Sequence, residues 1–313
     1  MAAGDRAFDE AVAAAFELYA DGRYDDALAV LRAAGDVSLG RAAMRSYLVG
    51  CLRSVTGHPD DAVEAFERGL ERGEWWRPDQ LRSDPDLAQL RDDPRFGAVV
   101  EESTRRVAAA DAEGRPELVL LDEPDAPDGS LLIALHGGSG NAAEFATHWR
   151  AADRSGAVVA VPQSPLPAFP GGEMFHWPDP PEVARQLAGH LATIRRTRHV
   201  DRVALAGLSQ GARIALWLAL RAEPEPVAGV VAVAGAGLDQ LEPMLPGAAE
   251  RGLRVWFVTG DRDFAREGVL AAHAAFVDAG IDCRLTEIAG RGHAMPPELD
   301  EQLPEMLAFV LGR

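Results

Sequence analysis

The chain has 313 residues, of which 47% are hydrophobic and 26% charged, so it is long enough for two domains with ordinary cores. Its net charge of −18 at pH 7 argues against nucleic acid and against an anionic membrane surface as partners, and favours solubility. Cys51 and Cys283 lie far apart, acids follow Met1 where a signal peptide needs basic and apolar residues, and no apolar run reaches a membrane-spanning length, so we expect a cytoplasmic protein without a disulfide framework.

The first part of the chain contains an internal repeat. The segment Gly22-Arg-Tyr-Asp-Asp-Ala-Leu recurs as Gly57-His-Pro-Asp-Asp-Ala-Val, so that Ala27 corresponds to Ala62, and each alanine is followed four positions later by a bulky residue. A small residue then a bulky one, at a period of about 34 residues, resembles the tetratricopeptide repeat. This resemblance implies a possible protein partner, and a packing or dimerisation role is equally compatible. The pattern predicts two helical hairpins, with helices over 11–19, 25–33, 43–52 and 60–70.

A third segment departs from the repeat and predicts a closing cap. Two Asp-Pro steps, at Asp84 and Asp93, suit helix starts, because the aspartate caps and the proline fits the first turn. We expect Trp75 and Trp76 to pack here rather than contact a ligand. The breaker-rich stretch from Asp111 marks the boundary between a helical domain over 1–108 and a second domain over 116–313.

In the second domain, predicted strands alternate with helices, which indicates an α/β fold with a mostly parallel sheet covered on both faces. The predicted strands cover 117–121, 130–135, 157–162, 200–206, 227–233, 255–259 and 282–288, and the predicted helices 142–154, 179–196, 265–279 and 297–311.

The strand ending at Leu135 runs into His136-Gly137-Gly138, where ligands bind in open α/β sheets. Glycines at such a position leave backbone N–H groups bare, so Gly138 is the expected donor to an oxyanion. His136 lies in a tight glycine turn, and we expect a structural role for it.

A long loop after the next strand contains four large apolar residues, Phe169, Met174, Phe175 and Trp177. These side chains suit a substrate-binding wall for an acyl or aryl group. Packing of the loop on itself is an equally good interpretation.

The strand Val200–Ala206 leads into Gly207-Leu-Ser-Gln-Gly211, and an apolar helical segment follows at once. Strand, G-x-S-x-G and helix in this order indicate a nucleophile elbow, in which a sharp turn exposes the serine hydroxyl. Ser209 is therefore the candidate nucleophile, and the N–H of Gln210 a second candidate oxyanion donor.

A serine nucleophile needs a neutral imidazole and an orienting carboxylate, which follow it in this chain order. His293 lies in a glycine-rich loop between the last strand and the last helix, which suits the base, whereas His273 falls inside a predicted helix. Asp261 and Asp263 both follow the strand Val255–Thr259, and both are candidates for the acid.

Together the segments Leu135-His-Gly-Gly, Pro162-Gln-Ser, Gly207-Leu-Ser-Gln-Gly211, Gly260-Asp-Arg-Asp263 and Gly292-His293 resemble the α/β-hydrolase superfamily, within it the phospholipase/carboxylesterase group that includes acyl-protein thioesterases. The resemblance covers about 116–313. It implies an acyl-enzyme mechanism without a cofactor or metal, and it favours Asp263 as the acid, because in that group the acid lies three residues after the loop glycine. The oxyanion segment and the acid loop depart from the group's usual sequences.

Two functions are compatible with these features. The first is a serine hydrolase that acts on a small-molecule ester or thioester, with Ser209, His293 and Asp263 as its triad. The second is a binding or scaffold protein, in which the repeats recruit a partner and the hydrolase domain is vestigial. A complete triad in the expected order favours the enzyme.

Overall fold

The structure is a computed structural model that describes residues 3–122, 124, 126–235, 237 and 241–313. The chain divides into two compact units. One, the helical unit, comprises residues up to Gly114 together with Leu166–Phe175; the other, the sheet unit, comprises Arg115–Pro165 and His176–Arg313. Within the described residues, no helix is both long enough and apolar enough to cross a bilayer.

The helical unit begins with consecutive helices that pack in pairs, α1 with α2 and α3 with α4, as the repeat predicts. Its helices are α1 (Ala3–Ala20), α2 (Tyr24–Ala33), α3 (Leu39–Val55), α4 (Pro59–Glu71), α5 (Pro78–Ser83), a 3₁₀ helix (Pro85–Leu90) and α6 (Pro94–Glu113). Ala27 and Ala62 are fully buried, which agrees with the small positions of the repeat.

The segment after the repeat packs on the last helical hairpin, as predicted for a closing segment. Asp84 accepts a hydrogen bond from the N–H of Asp86, and Asp93 accepts one from the N–H of Arg95, so both aspartates are N-caps ahead of a proline. Trp76 is fully buried, and its Nε1–H donates to the carbonyl oxygen of Ala43 over 2.8 Å. Both tryptophans are therefore packing residues, Trp75 being 6% exposed.

The helical unit also contains a segment that the sequence placed in the second domain. Residues 166–175, which lie in the chain between two segments of the sheet unit, belong to the helical unit, where Phe169 and Met174 pack in its hydrophobic core. Glu173 accepts a hydrogen bond from Nη1 of Arg41 over 2.9 Å, and Arg41 is itself almost fully buried. The helical unit also includes all of α6 and therefore runs to Gly114, whereas the sequence predicted an end of the helical domain at 108. The loop 166–175 is a second addition to this unit.

The sheet unit is built on a seven-stranded sheet in the order β1-β3-β2-β6-β7-β8-β9. Only β1 is antiparallel to its neighbour. Along the chain its strands are β1 (Glu117–Leu120), β2 (Ser130–Leu135), β3 (Val158–Gln163), β6 (Arg202–Leu208), β7 (Gly229–Val233), β8 (Arg254–Gly260) and β9 (Asp282–Ile288). The short strands β4 (Leu166–Pro167) and β5 (Phe175–His176) pair separately.

Both faces of the central strands of the sheet are buried. Along β2, Leu131, Ile133 and Leu135 point into one hydrophobic cluster and Leu132 and Ala134 into another, because successive side chains alternate between faces. The helices that cover the faces are α7 (Ala142–Phe145), which continues as a 3₁₀ helix (Ala146–Ser155), then α8 (Pro180–Arg195), α9 (Gln210–Arg221), a 3₁₀ turn (Glu242–Met244), α10 (Leu245–Glu250), α11 (Arg266–Asp278) and α12 (Leu299–Leu311).

The strand register brings the sequence motifs to one edge of the sheet. Leu135 pairs with Gly207, Leu208 with Val233, and Gly260 with Ile288. The glycine turn after β2, the elbow after β6, the acid loop after β8 and the histidine loop after β9 therefore all leave the sheet at its carboxyl edge.

Two helical glycines of the helical unit test its packing. A Cβ on Gly50 of α3 would lie 2.6 Å from Cζ of Phe66, whereas one on Gly97 of α6 would meet no atom within 4 Å. Gly50→Ala is expected to lower the free energy of unfolding by about 1–3 kcal/mol through overpacking. Gly97→Ala should raise it, by up to about 1 kcal/mol, through helix propensity. Urea unfolding of both variants measures this, and equal effects would contradict the packing described.

Candidate active site

Ser209 occupies a strained turn between β6 and α9. Its φ is 52° and its ψ −111°, a conformation that non-glycine residues rarely adopt. The turn is held from both sides, since the N–H of Ser209 donates to the carbonyl oxygen of Val233 over 2.8 Å and its own carbonyl accepts from the N–H of Arg213 over 3.0 Å. This is the backbone geometry that the predicted nucleophile elbow requires, and it follows from the strand–turn–helix order of the sequence.

The two glycines of the motif are required by close backbone packing. A Cβ on Gly207 would overlap the backbone of Gly211 and Ala212, and a Cβ on Gly211 would overlap the carbonyl oxygens of Leu135 and His136. Neither neighbour is a flexible side chain that could move aside. Because both positions lack a side chain, the first turn of α9 packs directly against β6 at Gly207 and against the end of β2 at Gly211.

The structure brings Ser209, His293 and Asp263 together in one line of hydrogen bonds. His293 Nε2 lies 2.8 Å from Ser209 Oγ, and His293 Nδ1 lies 2.8 Å from Asp263 Oδ1. The Asp263 side chain is fully buried, whereas that of His293 is 19% exposed. Asp263 Oδ1 also accepts from the N–H of Ala265 over 2.8 Å, which fixes the carboxylate at the start of α11.

Asp261, the other candidate for the acid, has a different partner. It is exposed, and its Oδ1 accepts the N–H of Gly290 over 2.7 Å. It therefore joins the loop after β8 to the loop that carries His293, and it is Asp263 that contacts the imidazole. His273 lies within α11, as predicted, and its ring packs edge-on against Phe257 of β8 with the ring centroids 6.0 Å apart.

Gly138 and Gln210 are neighbours beside the serine. A Cβ on Gly138 would lie 3.4 Å from Oε1 of Gln210. Gln210 is the first residue of α9, so its N–H belongs to the turn that has no acceptor within the helix. That the N–H groups of Gly138 and Gln210 bind a developing oxyanion stays a prediction, and at Gln210 the dipole of α9 would add to the attraction.

His136 is buried, and its side chain holds the glycine turn by hydrogen bonds. It is 0% exposed, and its Nδ1 lies 2.8 Å from the carbonyl oxygen of Gly137. Its Nε2 accepts the N–H of Ser164 over 3.3 Å, so Nδ1 carries the proton and donates. Burial lowers the pKa of His136 to about 4, which keeps the ring neutral. This placement agrees with the structural role that the sequence indicates.

Trp177 completes the support of this turn. Its ring stacks on His136 with centroids 4.6 Å apart, and its Nε1–H donates to the carbonyl oxygen of His136 over 2.8 Å. Its backbone N–H donates to Oε1 of Gln210 over 3.2 Å. The indole is 2% exposed. Trp177 therefore connects the glycine turn with the elbow, whereas the sequence interpretation gave it a place in a substrate wall.

The other members of that predicted wall have different surroundings. Phe169 is 2% and Met174 is 6% exposed, and both lie in the core of the helical unit, which agrees with the packing interpretation of the loop. Phe175 is half-buried. A role in substrate binding stays a prediction for Phe175.

Sequence reasoning missed two side chains at the site. Phe264, which follows the acid, stacks on His293 with ring centroids 4.1 Å apart. His176 lies with its Nε2 3.2 Å from Nε2 of Gln210. The departure of the acid loop from the usual pattern at position 264 was the available signal for Phe264, and no motif pointed to His176.

One group of potential metal ligands occurs among the described residues, and it lies in the helical unit. Atoms of Cys51, Asp84 and Asp86 lie within 4.8 Å of one another. Tyr47 donates its hydroxyl to Asp84, and Tyr19 donates to Asp86 over 2.8 Å. The two carboxylates already serve as acceptors in a tyrosine network that joins the helices.

Comparisons with known proteins identify the fold. The family model described as "A/B hydrolase-like, N-terminal domain" matches residues 8–111, which form most of the helical unit. No curated protein matches the chain. An uncharacterized protein from Bacillus cereus matches in structure over 96% of this chain and 97% of its own, with 23% identity and a TM-score of 0.52.

Two further structures match about two thirds of the chain. Esterase PE8 covers 63% of this chain and 100% of its own, with 23% identity and a TM-score of 0.52. Acyl-protein thioesterase 2 from Zea mays covers 64% of this chain and 100% of its own, with 18% identity and a TM-score of 0.50. The sheet unit thus has an α/β-hydrolase fold, and a helical domain precedes it, as the sequence resemblance implied.

The buried neutral His136 makes stability depend on pH. Because burial lowers its pKa from 6.5 to about 4, the unfolded chain binds more protons between these values, and stability falls as pH falls through that window. Between pH 7 and pH 5 the loss from this group should be about 2 kcal/mol. Urea unfolding at both pH values should show a smaller loss for His136→Asn than for the wild type. An identical loss in the two proteins would contradict a neutral, buried His136.

Proposed function

We propose that this protein is a serine hydrolase that cleaves a carboxylic ester or thioester of a small molecule through an acyl-enzyme. The observation that supports this most directly is the line of two 2.8 Å hydrogen bonds from Ser209 to His293 and from His293 to Asp263. A serine hydroxyl is a weak nucleophile at neutral pH, and this arrangement supplies the base and the orienting carboxylate that it needs.

In the first step, Ser209 Oγ attacks the carbonyl carbon of the substrate while His293 Nε2 takes its proton. The proton on Nδ1 stays hydrogen-bonded to Asp263, which holds the imidazole in the required tautomer and stabilises the imidazolium. The imidazolium then protonates the leaving alcohol or thiol. Water attacks the acyl-enzyme by the same route, with His293 again acting as base, and releases the acid.

The negative charge on the carbonyl oxygen is stabilised by the N–H groups of Gly138 and Gln210. Donors of this kind are effective because they are oriented before the reaction and cost no reorganisation as charge develops. The carbonyl of Gly137 belongs to the same peptide unit as the N–H of Gly138. By holding that carbonyl, His136 sets the direction of the N–H, and Trp177 holds His136.

The ester and thioester classes come from two considerations. An activated serine and an oxyanion hole act on any acyl carbonyl, so the triad alone leaves esters, thioesters and peptides open. Two structural neighbours are named as an esterase and an acyl-protein thioesterase, and these names favour the first two classes for this chain. The competing hypothesis is a scaffold protein in which the helical unit binds a partner and the hydrolase domain is vestigial.

Covalent labelling tests the nucleophile. A fluorophosphonate probe should label the wild type, and Ser209→Ala should abolish labelling and lower kcat/KM for p-nitrophenyl esters by at least about 10³-fold. Ser83→Ala, at an exposed serine of α5, is the matched control and should be labelled like the wild type. A folded wild type that resists the probe would favour the scaffold hypothesis.

A matched pair of substitutions tests the acid. Asp263→Asn should lower kcat by about 10³–10⁴-fold, because the amide no longer orients the imidazole in the required tautomer. Asp261→Asn should change kcat by less than about threefold, since Asp261 bonds to the backbone of the histidine loop. Steady-state kinetics on one p-nitrophenyl ester measures both, and a reversed order of the two effects would assign the acid to Asp261.

A further inference from the structure

Phe264 is an apolar side chain in an unusual position. It is 65% exposed, yet its ring lies nearly parallel to the imidazole of His293, with centroids 4.1 Å apart and 27° between the planes. Burial in the hydrophobic core therefore does not explain where this ring sits. The ring follows Asp263 directly in the chain, so the acid and the aromatic contact of His293 come from the same turn before α11.

The hydrogen bonds of His293 leave one motion of its ring weakly restrained. Both bonds, to Asp263 and to Ser209, lie at the two nitrogens and define an axis through the imidazole. Tilting of the ring about that axis changes their lengths little. The loop that carries His293 is held at Gly290 by the carboxylate of Asp261, and this bond restrains the loop backbone but not the plane of the imidazole. A ring stacked on one face opposes this tilt directly.

The restraint matters most once the serine is acylated. Ser209 Oγ is then an ester oxygen and no longer donates a hydrogen bond to Nε2, so only the bond to Asp263 remains. The contact with Phe264 is unaffected by acylation. In addition, the face of a benzene ring attracts a cation, so it favours the imidazolium that forms during each proton transfer.

We propose that Phe264 is a positioning residue, which holds the plane of His293 and stabilises its charged form by aromatic stacking. This inference rests on the proposed serine hydrolase function. The proposed interaction requires an aromatic ring at position 264, so an aliphatic side chain of similar size would not replace Phe264.

Substitutions of Phe264 test whether the aromatic ring is required or whether any apolar side chain beside His293 is sufficient. Phe264→Leu should lower kcat by about two- to fivefold with KM unchanged, which is the range of exposed cation–π contacts. Phe264→Ala should lower kcat by at least as much. Phe264→Tyr, which keeps the ring, should restore kcat to within about twofold of the wild type. Steady-state kinetics on p-nitrophenyl esters of two chain lengths gives kcat and KM for each variant.

Val277→Ala provides the control, because Val277 of α11 is also a large exposed apolar residue, 48% exposed, and its loss should leave kcat unchanged. Thermal unfolding of each variant checks the fold. If Phe264→Leu keeps the kcat of the wild type, any apolar side chain at this position is sufficient and the positioning role is overturned. If KM rises by an amount that depends on the ester, Phe264 contacts the substrate instead, which also overturns that role. A wild type without esterase activity or probe labelling would instead overturn the proposed function itself.

Discussion

The close approach of α9 to the end of β2 is the constraint on which the candidate site depends. Gly211 lies so near the carbonyl oxygens of Leu135 and His136 that no side chain fits there. This contact places the first turn of α9, with Ser209 and Gln210, beside the glycine turn at Gly138. The glycine turn follows β2 and α9 follows β6. Because these two strands are paired in parallel, the rigid sheet fixes the distance between the turn and the helix.

The polar groups around this contact form a connected network. His136 is buried with one nitrogen donating to Gly137 and the other accepting from Ser164. An imidazole can satisfy both only when it is neutral, and burial, which lowers its pKa, enforces that state. Trp177 then bonds to the carbonyl of His136 and to the side chain of Gln210. The support of the candidate oxyanion donors is thus distributed over segments that are distant in sequence.

Part of this arrangement was readable from local sequence patterns. The helices of the repeat, the Asp-Pro caps, the alternation of strands and helices and the elbow around Ser209 all rest on short-range periodicity and turn chemistry. His293 was predicted from its loop and its place in the chain order. The residues alone left Asp261 and Asp263 open, because both follow the same strand and the sequence pattern does not show which carboxylate faces the histidine.

What the sequence by itself determined is the order of elements, the two-part organisation and the identity of the chemically capable residues, since these follow from periodicity and residue type. Only the tertiary structure decided which side chains meet. Phe169 and Met174 suited a substrate wall by composition, but the loop that carries them folds into the core of the helical unit. Asp263 reaches the imidazole, and Phe264 stacks on it. Such contacts depend on strand register and loop direction, which arise from packing between segments far apart in the chain and leave no periodic trace in it.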